Sequence, residues 1–333
     1  MIVRFLLVLI PLLSFWGCQP RPVAYTRLEG NAQGSTFRIV YADSLSRDFA
    51  GSVDSIFRVM DRSMSLWDST SVISLFNAND PAVRADAHFT TVFERSREVA
   101  ETTGGNFDVT VGPLVKAWGF SYKKGLPAPD SVQVDSLLRL IGYQKIQLRD
   151  RKLIRTLPQI NIDFNAIAQG YTVDVLADFL KDRGVKNYLV EVGGEVRAEG
   201  RNERGEVWRI GIDKPTDSGA ADRTLQAVVA LDGKALATSG SYRKFVEREG
   251  RKYSHAIDPR TGFPITHSLL SVSVLANDCM TADAYATAFL VMGLEEAIPL
   301  ARQQGLELYG IVAEPDGSLR VYQSAGFGAK AVE

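Results

Sequence analysis

Residues 35–41 (STFRIVY) alternate polar and apolar positions with the period of two that a half-buried strand requires. From about 46 to 61 the period changes, and Phe49, Val53, Ile56, Phe57 and Met60 recur at helical spacing. A second helix is predicted from about 90 to 103, stopped by Gly104-Gly105. A third runs over 166–183 with Ile167, Tyr171, Val175, Phe179 and Leu180 inward, ended by Gly184. Beyond it the pattern is β-rich, at 187–198, 207–212, 225–231, 243–254 and 270–276. A helix from about 281 to 303 and a hairpin around Glu314-Pro315-Asp316-Gly317 close the chain. No repeat, low-complexity tract or long Pro/Ser linker divides it. Irregular alternation of helices and strands predicts one α+β domain with a largely antiparallel or mixed sheet and packed helices, rather than a doubly wound parallel fold.

The first residues stand apart from this pattern. A single Arg4 precedes an uncharged run from Phe5 to Trp16, then Gly17-Cys18. The run is too short for a mature transmembrane helix and reads as a secretory signal over residues 1–17. Cys18 after a small residue resembles a bacterial lipoprotein cleavage site, at which the cysteine is acylated. The alternative is an ordinary signal with an incidental cysteine. Residues 18–30 then form a lipid-anchored polar tether, and 31–333 the folded domain. The expected location is outside the cytoplasm, on a bacterial membrane facing the periplasm, with the inner membrane favoured. The 38 basic and 39 acidic residues nearly cancel and form no basic run, which argues against a nucleic-acid partner. With Cys18 lipidated, Cys279 has no intrachain partner and is expected to be a buried thiol.

Several segments carry more polar chemistry than packing needs. Asp283 and Thr287, four apart on a predicted helix, share a face and offer hard oxygen donors suited to Mg2+. The competing reading makes Thr281 a helix N-cap and Asp283 a first-turn charge. In NIDFNAIAQGYTVD (161–174) a strand ending at Asp163 meets the small residues Ala166, Ala168 and Gly170 at a helix start. Those residues suit either a ligand approaching the backbone or close helix packing, and Asn165 and Gln169 add polar groups to the same turn. GGNFDVTVGPLVKAWGF (104–120) could wall a flat ring or simply fill a core. Gly193-Gly194 inside LVEVGGEVRAEG marks a bulge or close backbone approach. ATSGSYRKF (237–245) sets hydroxyls upstream of YSHAIDPRTGFPI, where His255 stands at a strand edge three residues before Asp258. His88 and His267 are given no role.

Blocks 104–120, 161–174, 189–200, 237–245, 253–265 and 280–293 resemble, in order and spacing, the ApbE family of flavin transferases, from about Gln33 to about Gly310. SHAIDPRTG and ADAYAT are the most specific of them. The resemblance implies an exported, often lipid-anchored α+β protein that binds FAD in a cleft. It implies Mg2+-dependent transfer of the FMN half of FAD to a Thr or Ser hydroxyl of a target flavoprotein, with release of AMP. A membrane redox complex subunit and an exported FMN-binding domain are both plausible acceptors. By motif, Mg2+ would be held by Asp283, Thr287 and the Ala166 carbonyl. FAD would be contacted by Gln33, Ser35, Ser65, Leu66, Trp67, Asn106, Phe107, Asp108, Gln169, His255, Ala256 and Ile257. His255 and Asp283 would stand closest to proton transfer, with His255 the better base because a metal-bound carboxylate is a poor one. Gln33, Gln169 and Asn165 depart from the residues usual at their positions. Two other functions fit the same site, an FAD pyrophosphatase giving FMN and AMP and a non-catalytic periplasmic FAD-binding protein.

Overall fold

The computed structural model of the chain describes residues 24–120, 127–215, 224–242, 245–248 and 251–332. The expected signal and Cys18 lie outside these residues, as do 243–244 and 249–250 of the strand expected over 243–254. The alternating segment is β2 (Ser35–Ala42), and it pairs along its whole length with β1 (Tyr25–Ala32). Residues 25–30, expected in the tether, are therefore part of the sheet. Helix α1 (Ala50–Met64) begins later than its apolar period suggests. The Asp43 carboxylate accepts from both the amide and the guanidinium of Arg47, and Ser46 takes a positive φ of 52°. That closes a turn no helix can enter.

Helices α2 (Val72–Asn77) and α3 (Ala87–Thr102) follow, α3 capped by Asp86 and stopped at the two glycines as expected. Then come α4 (Gly112–Ala117), α5 (Ser131–Leu138) and a small hairpin of β3 (Ile146–Arg149) with β4 (Lys152–Arg155). No strand ends at Asp163. Residues 160–164 belong to no strand: the Asn77 side chain bonds both main-chain groups of Ile162 and Val109 accepts from the Asp163 amide. Helix α6 is Ala168–Asp182. Its buried positions are Gly170, Thr172, Val173, Asp174, Leu176, Ala177 and Leu180, whereas Tyr171, Val175 and Phe179, expected inward, are half-buried.

The stretch over 187–198 is a hairpin. β5 (Asn187–Val192) and β6 (Glu195–Glu199) turn on Gly193 and Gly194, whose φ of 67° and 109° suit a two-residue turn matched to strand twist. There follow β7 (Trp208–Asp213), β8 (Leu225–Leu231), β9 (Lys234–Gly240), β10 (Phe245–Arg248), β11 (Arg251–Ser254) and β12 (Leu269–Ala276). The predicted helix over 281–303 is two, α7 (Cys279–Met292) and α8 (Leu294–Gln303), because Gly293 breaks the axis at a φ of 84°. β13 (Glu307–Ala313), β14 (Leu319–Gln323) and β15 (Lys330–Ala331) complete the chain.

Eight strands form the main sheet in the order β1-β2-β5-β6-β9-β12-β13-β14, and every described pairing is antiparallel. One face carries α6 and α7 and the other a three-stranded sheet, β15-β8-β7. Both faces of the centre are thus dry. In β2, Ile39 and Tyr41 pack toward the helices and Val40 toward the smaller sheet, which turns the strand's end into a continuous apolar run. Helix α7 is buried on almost every side, as its mostly apolar composition requires.

Candidate active site

Helix α7 has a true N-cap, but it is Asp278 and not Thr281. The Asp278 carboxylate accepts the Thr281 amide at 2.8 Å, and Thr281 is spent on Asp278 and Arg95. Asp283 therefore lies past the first turn, beyond the orphan amides that a capping charge would satisfy. It is only 6% exposed, and its Oδ2 accepts the Gly170 amide of α6 at 3.0 Å. Burial pushes its carboxyl up to about 7; the Gly170 bond opposes that, and the neighbouring Asp174 carboxylate adds to it. One turn on, Thr287 is the one position between Thr281 and Val291 that is not fully buried, and its hydroxyl meets Ser239 of β9 at 3.1 Å. The shared face predicted for Asp283 and Thr287 thus exists and opens outward.

The third expected oxygen, the Ala166 carbonyl, lies just before α6. The Gly170 amide, one of the orphan donors at the start of α6, is satisfied by Asp283. Among the described residues no main-chain amide bonds the Ala166 carbonyl. Gly170 itself permits the helices to meet: a Cβ there would overlap the Cys279 carbonyl oxygen and stand 2.7 Å from Asp283 Cβ. For Gly170, close packing is the correct reading; for Ala166, the small residue leaves a carbonyl to spare. Among the described residues no three His, Cys, Asp or Glu gather to hold a metal. What fits is one carboxylate, one hydroxyl and one carbonyl, an all-oxygen set of the kind that holds Mg2+ together with substrate phosphates.

The flavin-contact residues fall into two groups around this core. In the first, Gln33 sits in the β1–β2 turn with a positive φ of 53°, and its amide nitrogen donates to Thr172 of α6 at 2.9 Å. Its Oε1 is buried without a partner among the described residues. An open pocket of about 570 Å3 is lined by residues 31–36, Gln33 and Ser35 included. The Gln169 amide rests on Gly193, where a Cβ would come within 2.8 Å of it. The Gly193 amide in turn donates to Thr36 at 2.9 Å. Two hairpin turns and the start of α6 are thereby held at one end of the sheet.

The second group lies between the 104–120 and 253–265 segments, which the Trp118 indole joins by donating to the Gly262 carbonyl at 2.8 Å. Asn106 is buried, donates to Thr103, and leaves Oδ1 without a partner. Phe107 is core, so only its backbone is free for a ligand. Asp108 is fully engaged inside the protein: Oδ1 accepts the Thr110 amide and hydroxyl and Oδ2 the Tyr143 amide. Its side chain clamps the loop, so a flavin contact at this position would fall to its backbone. His255 stands in a bend just past β11, edge-on to Phe120 at 6.3 Å, and Ala256 and Ile257 behind it are buried. Asp258, three residues on, is engaged by Arg260. The Ser65 carbonyl accepts the Ser71 and Ser74 hydroxyls, Leu66 packs on the core, and Trp67 is 71% exposed.

Residues that sequence reasoning passed over complete the framework. Ser239 and Thr172 hold Thr287 and Gln33, and Asp174 accepts two α7 amides. Burial raises Asp174 to about 6 against the pull of those bonds and of Arg197. The available signal was a polar residue at a buried helical position, which Thr172 and Asp174 both are. Cys279 is a buried free thiol as expected, its pKa driven up by desolvation, and so unreactive.

A model of the ApbE family matches residues 33–310, and the chain belongs to that family. It is 35% identical over 326 residues to an FAD:protein FMN transferase of Haemophilus influenzae, covering 94% of this chain and 93% of the relative. A Vibrio cholerae protein of the same name is 36% identical over 335 residues, with 97% and 98% covered. The structure of the flavin transferase ApbE from V. cholerae matches with a TM-score of 0.82 at 33% identity, over 92% of this chain and 99% of that one. That of the Pseudomonas stutzeri flavinyl transferase ApbE gives 0.82 at 32%, over 93% and 98%.

Proposed function

We propose that the chain is an FAD:protein FMN transferase whose site lies where α6 meets α7. The observation that carries this reading is the buried Asp283 carboxylate met by the Gly170 amide, with the Thr287 hydroxyl one turn along the same helix and the Ala166 carbonyl bonded by no described main-chain amide. Unpartnered acceptors on Gln33 and Asn106 await hydrogen-bond donors, which the rings and ribityl hydroxyls of FAD supply. Asp283, Thr287 and the Ala166 carbonyl would hold Mg2+, which when bound neutralises the pyrophosphate and the charge developing on departing AMP. The acceptor Thr or Ser oxygen bonds to the phosphorus on the FMN side, the pyrophosphate P–O bond breaks, and AMP leaves with that electron pair. His255 takes the hydroxyl proton, since imidazole exchanges protons near neutrality and Asp283 is committed as a ligand.

Among the described residues no helix is long and apolar enough to cross a membrane. Export and lipidation at Cys18 are the proposed route to a periplasm-facing membrane surface, where a redox-complex subunit or exported FMN-binding domain would be the acceptor. Cys18→Ser is then expected to move the protein from the membrane fraction to the soluble one. The activity is tested by mass spectrometry of an acceptor protein incubated with the enzyme, FAD and Mg2+. A covalent FMN adduct with equimolar AMP supports transfer. AMP and free FMN without an adduct would make it a pyrophosphatase, and no AMP at all a flavin-binding protein.

A further inference from the structure

Helices α6 and α7 are joined by steps of four residues that run in opposite directions along the two helices. At the first step Asp174 accepts the Cys279 amide at 2.9 Å and the Met280 amide at 2.8 Å. At the second, Gly170 donates to Asp283. The third step of the same count is Ala166 and Thr287, the remaining two oxygens of the metal set. Asp278 caps only the Thr281 amide, so the first two amides of α7 are satisfied from another helix. Asp174 is 7% exposed and is braced by Arg197 of β6, which reaches Asp174 at 3.0 Å and Asp178 at 3.1 Å. The grip is therefore anchored to the main sheet. A half-turn slip of α7 would carry Asp283 and Thr287 away from Ala166 together.

We propose that Asp174 is a positioning residue for the metal site: by holding the N-terminus of α7 it sets the register in which the Asp283, Thr287 and Ala166 oxygens converge. The inference rests on the Mg2+ site proposed above. Partners that orient metal ligands typically change metal affinity ten- to a hundredfold when removed, and an effect of about that size is expected here.

The test uses Mn2+ alone as probe, titrated into the full-length folded protein without FAD and read by electron paramagnetic resonance, with thermal melts in parallel. Asp174→Ala is expected to weaken Mn2+ binding about tenfold or more. Asp174→Asn, which preserves shape but turns an amide NH2 toward an N–H or Arg197, should weaken it in the same direction and decides the matter if Asp174→Ala does not fold. Val229→Ala is the control, because Val229 of β8 packs on the other face of the main sheet, in the cluster with Trp208 and Leu231 that no residue of α6 or α7 enters. It should lower the melting temperature and leave Mn2+ affinity within about twofold of the unmodified chain. If the Asp174 variants also keep their affinity while melting lower, Asp174 is packing only and the inference fails. If the unmodified chain binds FAD but no Mn2+, the metal site itself fails, and this inference with it.

Discussion

At the scale of single residues the site is defined by acceptors without donors. Gln33 and Asn106 each hold a buried oxygen with no partner among the described residues, and Asp283 a buried carboxylate whose desolvation the Gly170 amide only partly offsets, costly states that a ligand would relieve. For Asp283 the sign of the consequence is fixed. Its folded value, about 7, lies above the unfolded carboxyl value of about 3.9, so the fold binds the extra proton and loses stability as pH rises between those limits. Asp283→Asn keeps an acceptor for Gly170 and removes the charge. It is expected to melt higher than the unmodified protein at pH 8 without metal, to match it near pH 4, and to abolish FMN transfer. A transfer rate within about tenfold of normal would remove Asp283 from the metal set. Asp283 and Thr287 could be read in advance because spacing on a helix is local. Asp108 could not, since the Tyr143 amide that occupies it is thirty-five positions away in the chain.

At the scale of elements, the contact between α6 and α7 controls the chemistry. Gly170→Ala would push a methyl group into the Cys279 carbonyl and Asp283, and overpacking of that kind costs about 1–3 kcal/mol. The prediction is a lower melting temperature together with a transfer rate that falls further than stability alone explains, checked by assaying both well below the melting point. A variant that is destabilised but transfers FMN normally would show that the helices need not touch for catalysis. The segments that broke from prediction did so for two kinds of reason. The breaks at Gly193-Gly194 and Gly293 are local, glycines at positive φ, whereas the run at Asp163 is held by the side chain of Asn77, far away in the chain.

For the whole molecule, the eight-stranded sheet ties together motifs far apart in sequence. Removing residues 1–23 is expected to leave folding and transfer intact, whereas removing 1–30 strips most of β1 from β2 beside the Gln33 turn. The longer deletion should lower the melting temperature and weaken FAD binding in a fluorescence titration; equal behaviour of the two would show that β1 is dispensable. Much of the architecture was legible in the chain. Alternation at 35–41, the Gly104-Gly105 stop and the turn before β14 follow from interactions between near neighbours, and the α+β class follows from their order. The family was legible as well, since its motifs are contiguous. What only tertiary structure decided was which polar residues are spent and which are spare. Asp108 and Asp258 are consumed by internal partners, Gly170 serves packing, and Asp174 acts on a helix more than a hundred residues away. A side chain's hydrogen-bonding capacity is written in the sequence, but whether a partner claims it depends on long-range contacts that exist only once the sheet has closed around α6 and α7.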